Sequence, residues 1–67
     1  MITEIGIVAG EIWHYLDKQG EVSLSEISKG INRPGDIILM SVGWLAREGH
    51  VILKKEKEGE YRICLRK

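Results

Sequence analysis

Gly43-Trp44-Leu45-Ala46-Arg47-Glu48-Gly49-His50-Val51 is the stretch on which the fold turns. Apolar residues at helical spacing end on Glu48-Gly49 and run straight into the β-branched pair Val51-Ile52. A glycine just past a helix end takes the left-handed backbone that closes the last turn. The stretch therefore reads as a helix C-terminus passing directly into a strand. At the other end of this helix, Pro34 is pre-set for a first helical position and Asp36 suits the positive end of the dipole. The helix is expected over residues 34–48.

Working outward, residues 50–55 and 60–66 alternate as two strands, with Val51 and Leu53 on one face and Tyr61, Ile63 and Leu65 on its partner. Residues 56–59 form the charged loop between them, and Gly59 suits a left-handed bulge position. Upstream, Ser23-Leu24-Ser25-Glu26 matches a capping box, in which serine and glutamate satisfy the free amides of a helix start reciprocally. This second helix runs to about residue 29, with Leu24, Ile27 and Ile31 toward the core, and Gly30 ends it. Ile31-Asn32-Arg33 is the turn. Residues 21–22 have room only for a short extra strand. In a first helix over residues 3–19, Ile5, Val8, Ala9, Ile12, Tyr15 and Leu16 share one face. Ile7 is an apolar outlier on the polar side, and Gly20 supplies the stop. Trp13 is expected as an aromatic anchor under the hairpin or between helices. Gly6 and Gly10 sit inside this helix at a cost of up to ~1 kcal/mol each against alanine. They mark either close helix packing within the fold or close approach of a second subunit. Helix, turn, helix and hairpin in this order predict an α+β fold, a winged helix-turn-helix with three helices and a C-terminal two-stranded wing, as one domain over residues 1–67.

Sixty-seven residues bury a thin core. Small scaffolds compensate with disulfides, metals or oligomerisation. The single cysteine, Cys64, excludes an internal disulfide, and His14, His50 and Cys64 are too dispersed for a zinc site. Self-association is the device that remains. Ten basic residues balance ten acidic ones, so the formal net charge is zero. A dedicated nucleic-acid binder usually carries a basic excess. The start Met1-Ile2-Thr3-Glu4 has no basic n-region, no apolar run approaches membrane-spanning length, and one unpaired thiol fits a cytoplasmic setting.

In a helix-turn-helix protein the third helix lies in the major groove and needs Arg, Lys, Asn or Gln on its outer face. At 100° per residue, Ile38, Leu39, Val42, Leu45 and Ala46 fall on one arc, taken as the core face. The opposite arc carries Asp36, Ile37, Met40, Ser41, Trp44, Arg47 and Glu48. Arg47 is the one base there, and Asp36 would repel phosphates. Ile37, Met40 and Trp44 make an i, i+3, i+7 stripe, the sequence form of a partner-binding helix face. The stripe is either that interface or is covered within the chain by the first helix.

Gly10-Glu11-Ile12-Trp13-His14-Tyr15-Leu16 and Gly43-Trp44-Leu45-Ala46-Arg47-Glu48-Gly49 resemble the recurring segments of a small prokaryotic family of winged helix-turn-helix domains of unknown function. The resemblance runs from about Ile5 to Leu65. It implies three helices with a hairpin wing and no enzymatic activity, and it carries over no functional residues. His50 stands where relatives are expected to have Lys or Arg.

The wing is the remaining candidate for nucleic-acid contact, through Lys54, Lys55, Lys57 and Arg62, with Arg33 in the turn and Arg66-Lys67 at the end. Glu56, Glu58 and Glu60 interleave with these cations, and a solvated tip that deters edge pairing is the plainer reading. His14 and His50 read as solvated, and Cys64 as a thiol without a base beside it. No phosphate-binding glycine loop, catalytic carboxylate pair or metal spacing appears, so no cofactor, metal, catalytic group or small-molecule ligand is expected. The sequence points to a non-catalytic binding module that acts through protein–protein contact as a homodimer, using Ile37, Met40, Trp44 and Arg47. The alternative is a DNA-binding regulator-type domain that holds the phosphate backbone through its wing.

Overall fold

The structure, a computed structural model, describes residues 1–66. Helix α1 (Ile2–Gln19) buries Val8, Ala9, Ile12 and Leu16, the face read from its apolar spacing. It stops at Gly20, whose φ of 78° turns the chain and whose N–H donates to the Leu16 carbonyl. Strand β1 (Val22–Ser23) follows, one residue later than expected.

Helix α2 (Leu24–Gly30) opens on the capping box. The Glu26 N–H donates to Ser23 Oγ at 3.0 Å, and the Ser23 N–H donates to Glu26 Oε1 at 2.9 Å. Gly30 proves to be the last helical residue, and its lack of a side chain has a tertiary use. A Cβ there would come within 2.5–2.7 Å of the Tyr15 ring, which lies across it from α1.

Pro34 is the cap of the third helix rather than its first turn, because its ψ of 141° is still extended; α3 is Gly35–Arg47. At the far end Gly49 adopts φ 78°. Its N–H donates to the Ala46 carbonyl at 3.1 Å, and the His50 N–H donates to the Leu45 carbonyl at 2.9 Å. This pair of bonds is a Schellman motif, which satisfies the last carbonyls and hands the chain to β2 across a three-residue turn, 48–50.

Strands β2 (Val51–Lys57) and β3 (Glu60–Leu65) form the antiparallel hairpin, with Leu53 opposite Ile63 and Lys55 opposite Tyr61. The expected loop over 56–59 is shorter: β2 continues to Lys57, the register shifts between Lys55 and Lys57, and Gly59 turns with φ 78°. Strand β1 pairs with β3 through Val22 and Ile63, so β3 is central and the order is β1-β3-β2. One apolar cluster joins the helices to the sheet, with Ile12, Leu16, Ile27, Ile38 and Ile63 at its centre. Among the described residues, no helix is long and apolar enough to cross a membrane.

Candidate interaction surfaces

Helix α3 packs with a different face inward from the one its apolar residues suggested. Ile37, Ile38, Ser41, Val42 and Leu45 are buried. Relative to the expected arc, the buried face is turned by roughly 70° about the helix axis. Ile37 therefore leaves the proposed outer stripe: it is 5 % exposed, against 57 % for Leu39, which was expected inside. The reason lies in Ser41. A buried serine is invisible to a hydrophobic pattern, yet its hydroxyl donates to the Ile37 carbonyl one turn back at 2.7 Å and lies 3.3 Å from the Ile5 carbonyl of α1. A small residue satisfied in this way lets α1 approach α3 closely.

Met40 and Trp44 remain on the solvent side, 41 % and 49 % exposed. Arg47 is exposed at the same flank. Beside them Ile2, Ile5, Gly6 and Trp44 wall a groove of about 240 Å³. Ile2, 84 % exposed, was not singled out in the sequence, because its neighbours on α1 are separated from Trp44 by the whole of α2. The first helix does more than cover α3: it extends the same apolar surface. Trp13 is not the core anchor expected of it. It is 36 % exposed, with its ring edge-on to His14. Gly6 and Gly10 do not serve packing either, since nothing among the described residues lies within 4 Å of a Cβ built on them.

A second apolar groove, about 330 Å³, runs between α2, α3 and the wing, lined by Leu24, Leu39, Val42, Leu53, Tyr61 and Ile63. Leucine stands where a base-reading surface would carry donors.

The wing cations are engaged by carboxylates. Lys54 Nζ lies 3.1 Å from Glu21 Oε1, and Arg62 Nε lies 3.3 Å from Glu21 Oε2. Arg62 is also 3.6 Å from Glu56 and 3.8 Å from Glu26. Lys55 pairs with Glu58 at 3.2 Å. Lys57 has no ion pair among the described residues, and Arg66 is exposed. Lys67 lies outside the described residues. Arg33 meets Glu11 as a two-pronged pair, Nε to Oε1 at 3.0 Å and Nη2 to Oε2 at 2.6 Å, which ties the turn before α3 to α1.

These contacts shift the carboxyls in one direction. The Arg33 hydrogen bond holds Glu11 below the ordinary carboxylate range. Hydrogen bonds from Lys54 and then Arg62 do the same for Glu21, and the capping bonds from Ser23 lower Glu26. In return, Glu21 raises Lys54.

The three-helix order, the Schellman turn into β2 and the β1-β3-β2 sheet agree with a family model for a winged helix-turn-helix domain, DUF2582, which matches residues 1–65. The chain belongs to that family. Both segments that carried the resemblance lie inside the matched span. The uncharacterized protein MJ1608 of Methanocaldococcus jannaschii is 44 % identical to this DUF2582 chain over 59 residues, covering 82 % of the chain and 83 % of that protein. The solution NMR structure of protein BT2368 from Bacteroides thetaiotaomicron has a TM-score of 0.80 and 32 % identity, covering 94 % of this chain and 76 % of that one. Neither name states a function, so the function of this DUF2582 member has to be argued from its own surface.

Proposed function

We propose that this chain is a non-catalytic winged-helix module that works by protein contact, pairing with a second copy of itself through the exposed flank of α3. The observation that carries the reading is the exposure of Trp44 and Met40 on the helix that would otherwise read bases, beside an apolar groove walled by α1. Trp and Met are enriched at the buried centres of interfaces and depleted from idle surface. Ile37 belongs to the core of the chain, so the contact set is Met40, Trp44 and Arg47, joined by Ile2.

The competing reading is DNA binding through the wing, which the fold favours in general. Its cations Lys54, Lys55, Lys57 and Arg62 stand among Glu21, Glu26, Glu56, Glu58 and Glu60. Each exposed pair opens at little cost. What weakens phosphate attraction is the surrounding negative charge, which no local opening removes. A cytoplasmic setting, where Cys64 stays reduced, completes the proposal.

Sedimentation velocity and duplex-binding anisotropy test the two readings together. A dimer at high micromolar concentration that Trp44→Ala converts to monomer is the expected result. A chain that stays monomeric, yet holds duplex DNA with an affinity that falls steeply with salt and is weakened by Lys54→Ala or Lys55→Ala, overturns the proposal.

A further inference from the structure

We infer that α1 supplies the other half of this interface, crossing α1 of a second copy in antiparallel fashion over a ledge formed by Gly6 and Gly10. The inference rests on the self-association reading and adds to it a contact element and a geometry. Ile2, Gly6, Gly10 and Trp13 fall within about 80° of arc on α1. The stripe turns to solvent: Ile2 and Trp13 are exposed, and a Cβ on either glycine would meet open space. Nothing among the described residues accounts for bare backbone there.

The pattern names its own occupant. Bulky, glycine, glycine, bulky reads the same in both directions. Turned about its midpoint, Ile2 meets the second copy's Trp13, and Gly6 meets its Gly10. A twofold dimer requires this kind of self-complementary patch. Bare backbone lets the helices cross at or below the usual separation of about 8–10 Å.

Charge does not oppose the pairing. Helix α3 runs antiparallel to α1, since Ser41 touches Ile5 while Trp44 borders Ile2 and Gly6. The face therefore has Arg47 at one end and Asp36 at the other, and neither is in an ion pair among the described residues. With a net charge of zero, two copies meet no long-range repulsion. The exposed parts of Met1, Ile2, Trp13, Met40 and Trp44 present roughly 600 Å², close to one side of a small stable interface.

The test is the double variant Gly6→Ala, Gly10→Ala, followed by analytical ultracentrifugation over a concentration series and by circular dichroism. Alanine fits both sites and favours helix, so at dilutions where the native chain is monomeric the variant melts no lower than native. Its dimer dissociation constant rises at least tenfold. Ile2→Ala moves the constant in the same direction from the end of the stripe. Should Trp44→Ala dissociate the native dimer while the double-alanine chain pairs as tightly as native, the α1 ledge is refuted and the α3 reading stands. A native chain that is monomeric throughout refutes both.

Discussion

Ile37 and Leu39 are two large aliphatic residues, two positions apart on α3, whose roles the structure exchanges relative to their hydrophobic pattern. Replacing either by alanine removes the same number of carbons. Ile37 is buried in the apolar core, so Ile37→Ala loses about 2–2.5 kcal/mol of transfer free energy, and the cavity left behind brings the total to about 3–4 kcal/mol. Leu39 keeps more than half its surface in water, so Leu39→Ala costs about 1 kcal/mol or less, with part offset by alanine's helix propensity. A chain of this length is stable by only ~3–10 kcal/mol. Ile37→Ala therefore lowers the melting temperature by about 20–30 °C, and Leu39→Ala by a few degrees. Thermal and urea unfolding by circular dichroism, at a protein concentration where both variants are monomeric, measure the difference. If Leu39→Ala proves the more damaging, the rotation of α3 described above is wrong, and the stripe of Ile37, Met40 and Trp44 returns to the surface.

Acid tests the carboxylate contacts. Glu11, Glu21 and Glu26 have folded pKa values below 4.5, so the stability they contribute is fully present above about pH 4.5 and is lost as pH falls through their folded values. The urea midpoint should hold from neutral pH to about 5 and then decline, with a shallower decline in Glu21→Gln; an unchanged profile would show that the Glu21 contacts to Lys54 and Arg62 do not persist in solution. Lys54 is shifted upward, so its part of the same contact weakens only when pH rises past about 10.5. Ser23→Ala removes the acceptor for the Glu26 amide and should cost about 1 kcal/mol by urea unfolding, whereas Ser25→Ala, two residues on and exposed, should cost far less.

Several features were legible in residue order because each is set by a few neighbouring residues. Gly49 after Glu48 announces the end of α3, since only glycine takes φ 78° there without strain. Ser23 and Glu26 close their ring across three positions. The alternation of Val51–Lys57 with Glu60–Leu65 sets the hairpin, although its tip is tighter than the charged run suggested. The winged helix follows from these local rules taken in sequence.

The surfaces depended on docking between elements far apart in the chain. Which arc of α3 faces inward was decided by α1 seating on Ser41, and a hydroxyl satisfied by its own helix leaves no hydrophobic mark. Trp13 points outward because it lies off the α1 face that Val8, Ile12 and Leu16 fill. Glu21 reaches Lys54 and Arg62 across separations of 33 and 41 residues, so that pairing exists only once the sheet has formed. Local backbone preference specified the elements; which sides of them meet water was left to long-range packing, where space and hydrogen-bond satisfaction outweigh side-chain hydrophobicity.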